Sequence, residues 1–359
     1  MAIRVVVGYT GGVGSEVVRL IQSNPAFELV GVLVHSADKE GRDAGEIVGI
    51  APTGVIATRD VDALVALKAD VLSWHGLSWD ADIKAKFLRA GTNVYTGMGG
   101  WFLPSEPDYE LIQQAGAEGG AALIAGGNIP GLISDVLPLF ASGYSANVTF
   151  VRAWQRNHVA SYPSAFQLGH HLGLGQPLPS EPFDPDKPLS EADAGWLWGI
   201  SQSAQLVARG LGLAYDGVRL TKKEHGRASA DAVLQPSGLP ITKGSIAGTR
   251  WTFTACAGGK PFYELVNEQT AEFGLGADWR QTADEPNWRV VIEGSPSIEV
   301  AFGVTSTPPH ASHVAALNAA RAINLLPRIV ATTRTGWCSV LDLPAAVGLA
   351  AAPLRQEMA

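Results

Sequence analysis

The chain opens on Ile3-Arg4-Val5-Val6-Val7, an apolar and mostly β-branched run that stops at Gly8-Tyr9-Thr10-Gly11-Gly12-Val13-Gly14. Apolar residues then recur at helical spacing (Val17, Val18, Leu20, Ile21), and a second apolar run over 29–34 ends on His35-Ser36. Short unbroken apolar runs bounded by turn residues predict fully buried strands, and the 3.6-residue spacing predicts a helix with one inward face. The alternation continues. A helix is predicted over 60–68 with Asp60 at its N-cap, then a strand over 70–74 running into His75-Gly76. Next come a helix over 80–90 closed by Gly91, a strand over 93–96 running into Gly97-Met98-Gly99-Gly100, a helix over 108–118, and a strand over 121–125 before Gly126-Gly127-Asn128. Strands alternating with helices predict an α/β fold, a Rossmann-type doubly wound parallel sheet. Such sheets bind ligands beyond the carboxyl ends of their strands, so the loops at Gly8, His35, Trp74, Met98 and Asn128 are expected to line one crevice.

From about Val148 the texture changes. Strands are predicted over 148–154, 218–225, 241–256, 262–271, 288–293 and 297–302, with turns at 244–248 and 257–260, a helix over 192–211 and a Pro-rich surface loop over 176–188. This is a second, α+β domain with a mostly antiparallel sheet, read as a meander. One face of that sheet needs burial against the first domain or a second subunit. A helix over 312–332 and a tail over 337–354 are expected to return to the first domain. The expected division is 1–147 for dinucleotide binding, 148–305 for substrate and dimerisation, and 306–359 for the returning segment.

The glycine run carries the first chemistry. A strand, a glycine-rich turn and a helix hold a pyrophosphate at the helix N-terminus. Gly8 is expected to make the turn, Gly11 and Gly12 to let backbone N–H groups approach phosphate, and Gly14 to let helix and strand pack closely. The spacing is Gly-x-x-Gly-x-x-Gly, and its place between two strands gives it meaning. At the end of the second strand, where an NAD-binding chain carries a diol-binding carboxylate, Val34-His35-Ser36 is neutral and Lys39 and Arg42 follow. A hydroxyl and a guanidinium suit a 2′-phosphate, so NADP is the expected cofactor. Asp38 leaves NAD open.

Composition narrows the class. Of 359 residues, 46% are hydrophobic and 17% charged, as in a well-buried soluble protein. A net charge of −8 argues against nucleic acid or an anionic membrane surface as partner. No apolar run reaches bilayer length, and Arg4 interrupts any signal-like core. Cys256 and Cys338 stand far apart without metal-ligand spacing, so a reduced, cytoplasmic chain without a metal site is expected. Ten tryptophans point to a large apolar pocket or an extensive subunit interface.

Several segments together carry a family resemblance. They are Gly8-x-x-Gly11-x-x-Gly14, His35-Ser36-x-x-Lys39-x-Gly41-Arg42-Asp43-Ala44-Gly45, and Asn128-Ile-Pro130-Gly131-x-x-x-Asp135-x-Leu-Pro138. Asn157-x-x-x-x-Tyr162-Pro163-Ser164 and Leu341-Asp-Leu-Pro344 complete the set. The chain resembles the dihydrodipicolinate reductase-type nucleotide domain and, more closely, the native amine dehydrogenase and 2,4-diaminopentanoate dehydrogenase group. The resemblance implies an NAD(P)H-dependent homodimer acting on a C=O or C=N bond. It implies that Gly8, Thr10, Gly11, Gly12 and Val13 hold the pyrophosphate, and that His35, Ser36, Lys39 and Arg42 sit at the adenosine phosphate. It also implies that Trp74, His75 and Gly97 flank the nicotinamide with Asn128 near its carboxamide, and that Asn157 and Tyr162 line the substrate pocket. One departure stands out. The group carries a Thr-Gly-Glu-Glu-like segment whose carboxylate handles the amine proton, and this chain has Thr96-Gly97-Met98-Gly99-Gly100-Trp101. A bound ammonium has no lone pair to assist unless a base removes its proton.

Hydride delivery to a carbonyl needs a proton donor for the developing oxyanion. His75, Tyr162 with neighbouring His158, and Glu106 or Asp108 as replacement carboxylates are the candidates. For Glu106 and Asp108 the competing expectation is capping of the helix near Pro107. Met98, Trp101, Phe102 and Trp154 are expected to wall an apolar substrate pocket, with Phe166, Trp196 and Trp198 as further aromatics that equally suit ordinary packing. His170-His171 lacks a third ligand and reads as polar loop, while His310 and His313 belong to the entry of the C-terminal helix. The expected activity is NADP-dependent hydride transfer with an apolar ketone, aldehyde or imine/amine. The alternatives are ammonia-dependent amination with a replacement carboxylate, or an inactive nucleotide-binding sensor.

Overall fold

Val5, Val6 and Val7 are all fully buried because their strand has a neighbour on each side in a sheet covered on both faces. The structure, a computed structural model, describes residues 1–349. Two compact units result, one from Met1–Asn128 together with the segment from Ser306 onward, the other from Ile129–Thr305.

The first unit contains strands β1 (Ile3–Gly8), β2 (Phe27–Leu33), β3 (Val71–Trp74), β4 (Asn93–Thr96) and β5 (Ala122–Ala125). Between them lie α1 (Gly12–Ser23), α2 (Ala44–Val48), α3 (Val61–Ala66), α4 (Ala81–Arg89) and α5 (Tyr109–Gly119). The second unit contains α6 (Leu137–Ser142), β6 (Ala146–His158), α7 (Glu191–Leu211), β7 (Tyr215–Arg227), the short pair β8 (Ala232–Val233) and β9 (Pro240–Ile241), β10 (Ile246–Ala257), β11 (Lys260–Thr270), β12 (Trp288–Ser295) and β13 (Ile298–Phe302). The chain returns to the first unit through α8 (His313–Val330) and β14 (Gly336–Cys338). The tail expected over 337–354 runs past the described residues after 349.

Six strands in the order β14-β5-β4-β3-β1-β2, all parallel, make the Rossmann-type sheet. Alternation along β1 sends Val5 and Val7 to a core with Val17, Val18, Ala322 and Leu326, under α1 and α8. Val6 points the other way, to Leu72, Phe87, Leu88 and Ile112, under α4 and α5. Capping follows the sequence where short polar side chains allow it. Asp60 accepts from the Ala63 N–H at 3.0 Å, and Ser312 from the Ala315 N–H at 3.2 Å.

The second sheet runs β13-β12-β6-β11-β10-β7 and is antiparallel except for the parallel pair β6–β11. It is therefore a mixed sheet and not a simple meander. The strand expected over 241–256 is broken by Gly244 (φ 87°), so Ile241 pairs with Ala232 in a separate ribbon. The unit begins at Ile129 because its first helical stretch packs there: the Tyr263 hydroxyl donates to the Ser134 carbonyl at 2.8 Å, and Ser203 Oγ to Asp135 Oδ2 at 2.7 Å. Texture alone places that break later, at the first strand. Among the described residues, no helix is long and apolar enough to cross a membrane.

Candidate nucleotide site and substrate-domain face

Leu33, Gly8, Trp74, Thr96 and Ala125 are in register across the carboxyl ends of β2, β1, β3, β4 and β5. Strand order reverses at β1, with β2 on one side and β3 on the other, so the ligand crevice of this sheet type opens above Gly8. The turn after Gly8 is made by Tyr9, whose φ is 69°. Gly8 has a different job from the one expected: a Cβ there would lie 3.0 Å from the Trp74 indole. Gly11 is the N-cap of α1 and supplies no side chain, leaving the first-turn N–H groups aimed outward. A Cβ on Gly11 would meet nothing within 4 Å, and one on Gly12 only Ala315 Cβ at 3.8 Å, so phosphate has room to approach. Val13 turns its side chain to the core and offers its backbone. Lys39 reaches back to this loop, its Nζ donating to the Thr10 carbonyl at 3.2 Å and to Thr10 Oγ1 at 3.1 Å.

Beyond β2, His35, Asp38 and Arg42 are exposed. The Ser36 hydroxyl bonds the Asp38 carboxylate and, with the Asp38 backbone N–H, Lys39 and Arg42, holds it below the usual range. Asp43 anchors the loop by accepting from the Gly45, Thr53 and Gly54 N–H groups at 2.7, 2.9 and 2.8 Å. That anchoring sets where Lys39 and Arg42 stand.

Around the ends of β3 and β4 the aromatic residues pack on one another. Trp74 is fully buried and meets Tyr9 edge-on at 4.9 Å. His75 Nε2 shares a hydrogen bond with Ser73 Oγ at 2.9 Å, and burial pushes its imidazole down to about 3. His75 is therefore neutral at physiological pH, and any proton it gives to a substrate comes from a neutral imidazole. Thr96 Oγ1 donates to the Met98 carbonyl at 2.8 Å and closes the turn through Gly97. Gly99 and Gly100 follow at φ 75° and 77°, and Cβ atoms there would come within 2.7 and 2.8 Å of the Trp79 ring. Trp79 Nε1 in turn donates to Asp108 Oδ2 at 2.8 Å. Asp108 sits at the N-cap of α5, but its carboxylate binds the indole and caps nothing. Glu106 is half-buried after a short helical turn, Leu103–Ser105. Trp101 is buried, and half-buried Phe102 packs edge-on against Trp337 at 5.6 Å, beside the core under α4 and α5. Asn128 is buried just beyond β5.

Lys84 stands out only in the folded protein. It is fully buried, with Nζ 4.0 Å above the Trp74 ring and 4.6 Å from that of Trp79, and it donates to the Trp79 carbonyl. The available signal is its spacing: Lys84 lies three and four residues before Phe87 and Leu88, on the inward face of α4. Burial pushes its ammonium down to about 7 against the opposing pull of Asp80. Its folded pKa thus lies below the unfolded value, so the unfolded chain binds more protons between about pH 7 and 10.5. Unfolding free energy is expected to gain about 1.4 kcal/mol per pH unit from this group as pH rises through that window. Denaturant melts of the wild type and Lys84→Met at pH 7, 8 and 9 check this, the variant lacking that slope.

In the second unit, β6 alternates: Val151, Ala153, Gln155 and Asn157 are buried, while Arg152, Trp154, Arg156 and His158 lie on the opposite face. Trp154 sits there between the guanidinium groups of Arg152 (5.6 Å) and Arg289 (5.0 Å) and shares no wall with Asn157, contrary to expectation. Tyr162 closes a turn, its N–H donating to the Val159 carbonyl at 2.9 Å, and burial pushes its phenol up to about 12, so it keeps its proton. His158 is engaged by the Ala271 carbonyl at 3.0 Å and by Phe273. His170 and His171 pack on Phe166, and His310 lies 3.2 Å from Glu16. Trp196 leans on Trp251 at 5.9 Å, and Trp198 is partly exposed.

A parallel sheet with an uncapped glycine loop at its switch point, joined to a separate mixed-sheet unit, defines a Rossmann-type NAD(P)-dependent oxidoreductase. Residues 3–72 match the family model for the N-terminus of dihydrodipicolinate reductase, and residues 132–357 match that for the C-terminal domain of 2,4-diaminopentanoate dehydrogenase. The chain belongs to the 2,4-diaminopentanoate dehydrogenase C-terminal domain family. It is 29% identical to an amine dehydrogenase of Streptomyces virginiae over 315 residues, which is 84% of this chain and 85% of that protein. It is 41% identical to 4-hydroxy-tetrahydrodipicolinate reductase of Synechococcus elongatus over 63 residues, 18% of this chain and 23% of the other. The solved structure of an amine dehydrogenase from Mycobacterium smegmatis superposes with a TM-score of 0.73 at 17% identity, covering 97% of each chain.

Proposed function

We propose that the protein transfers hydride between NADP(H) and an apolar ketone, aldehyde or imine/amine, acting as a cytoplasmic homodimer. The observation that carries this reading is the bare N-terminus of α1 beside Lys39, with His35 and Ser36 at the end of β2 in place of an NAD-type diol carboxylate and Arg42 exposed in the loop that follows. Gly8, Thr10, Gly11, Gly12 and Val13 cradle the pyrophosphate, with Lys39 neutralising it. His35, Ser36 and Arg42 take the 2′-phosphate. Trp74, neutral His75 and Gly97 flank the nicotinamide, and Asn128 holds its carboxamide. The bound cofactor supplies the hydride. Tyr162, protonated throughout the physiological range, donates to the oxygen that becomes a hydroxyl, and Asn157 orients the substrate. Met98 and Trp101 contribute apolar surface.

Ammonia-dependent amination is the second reading, favoured by the likeness to the Streptomyces virginiae amine dehydrogenase. Asp108 is held by Trp79, so Glu106 is the carboxylate this reading uses. NADPH oxidation with a ketone and aldehyde panel, with and without ammonium, separates the two. Turnover indifferent to ammonium supports carbonyl reduction, and turnover that requires it supports amination. Tight NADPH binding without turnover on any carbonyl or amine would overturn both in favour of a sensor. Binding of neither NADPH nor NADH would remove the enzymatic reading altogether.

A further inference from the structure

The buried face of the second sheet carries carboxamides where a face packed only for stability carries aliphatic side chains. Gln155 and Asn157 on β6 stand beside Asn267 and Gln269 on β11, in the register Gln155–Asn267 and Asn157–Gln269, and all four are buried. Their polarity can be read from one end. The Trp288 indole can only donate, and it donates to Gln155 Oε1 at 3.2 Å. Gln155 Nε2 must then donate onward, to Asn267 Oδ1 at 3.3 Å, and Gln269 Nε2 donates to the same oxygen at 2.6 Å. Asn267 is thereby locked with its oxygen doubly used and its Nδ2 group left over. Among the described residues, Asn267 Nδ2 has no partner, and neither has Asn157 Oδ1 on the next strand. Farther along the Asn157–Gln269 row the polar groups are satisfied: Thr249 Oγ1 donates to the Leu172 carbonyl at 2.8 Å and meets His225 Nδ1 at 3.1 Å. Among the described residues, the shortfall on this face is one donor and one acceptor, on a diagonal of roughly 8 Å between Cα atoms, given ordinary strand spacing and rise.

Unpartnered buried amide groups are costly and uncommon in native folds. We infer that Asn267 Nδ2 and Asn157 Oδ1 form a recognition site for a hydroxyl group on the substrate chain, apart from the reacting carbonyl. A hydroxyl accepts from Asn267 and donates to Asn157 at once. A carboxylate offers only acceptors and an ammonium only donors, so each leaves one side unmet. The inference rests on the carbonyl-reductase reading and narrows it: the preferred substrate is a hydroxylated ketone or aldehyde with an otherwise apolar chain. Gln155, Gln269 and Trp288 are positioning residues that act through Asn267.

The test compares hydroxyketones whose hydroxyl lies two, three or four carbons from the carbonyl with their deoxy parents, as kcat/KM ratios for NADPH oxidation. At least one pair is expected to favour the hydroxyketone by about tenfold or more. Asn267→Leu is expected to bring that ratio to within about twofold of unity. So is Asn157→Leu, made at the other end of the site in case the first variant folds poorly. Asn267→Asp, which keeps the shape and removes the donor, is expected to lower the ratio as well. A wild-type ratio near one for every pair, or a ratio that survives in both leucine variants, overturns the site. If no carbonyl is reduced at all, the functional reading falls instead. Calorimetric titration of the same pairs into the NADP-loaded protein then decides the site by the same ratio, and absence of hydroxyl-dependent binding overturns it.

Discussion

Gly14→Ala is expected to abolish measurable NADPH binding and to lower unfolding free energy by about 1–3 kcal/mol. The added Cβ would lie 1.9 Å from the Tyr9 carbonyl oxygen and 3.0 Å from its carbon, both backbone atoms. Tyr9 cannot retreat: its N–H is bonded to the Leu33 carbonyl at 2.8 Å and its ring is set against Trp74 and Gly76. The helix must move instead, carrying its phosphate-facing N–H groups away from the crevice. Gly11→Ala separates stability from binding, because Gly11 has an ordinary φ of −76° and open space around it. That variant is expected to melt like the wild type, so any loss of affinity reports room taken from the phosphate. Tryptophan-quenching titrations with NADPH and denaturant melts measure both effects. Wild-type affinity in Gly14→Ala would remove α1 from the cofactor site.

Arg42→Ala is expected to weaken NADPH binding by ten- to a hundredfold while leaving NADH within about twofold, as loss of one charge-assisted contact to a phosphate predicts. Arg42 is exposed beside the Asp43 anchor, where the proposed function puts the 2′-phosphate and nothing that the two cofactors share. Lys39 differs, because its ammonium rests on Thr10 in the glycine loop. Lys39→Ala is therefore expected to weaken both cofactors. Equal effects of the two variants on NADPH and NADH would return Arg42 to the status of a solvated surface charge. The Arg42 contrast should shrink as salt is raised, since the contact is exposed.

The two halves of the chain were legible to different degrees. Each βα step of the first unit is announced by neighbours in sequence: an apolar run, a glycine or an N-cap such as Asp60 or Ser312, then helical spacing. The five strands from β1 to β5 and the helices between them, apart from the short α2, appear where that grammar puts them. The second unit was legible as strands but not as a sheet, because the parallel β6–β11 pair joins residues more than a hundred positions apart. Among site residues, the glycine run and Lys39 were visible. The side of β6 on which Trp154 falls and the diversion of Asp108 to an indole were not.

By itself, then, the amino-acid order determined a nucleotide-binding α/β half, a mostly antiparallel second half, and which loops close the carboxyl edge of the first sheet. Those properties follow from short-range sterics and periodicity, which neighbouring residues settle among themselves. Only the tertiary structure decided that Lys84 lies between two tryptophans, that His75 is neutral, that Tyr9 makes the turn expected of Gly8, and that Asn267 ends with a spare donor. Each of these depends on which distant groups are brought within hydrogen-bonding or packing range. Desolvation and partner geometry belong to the folded arrangement and leave no local mark on the chain.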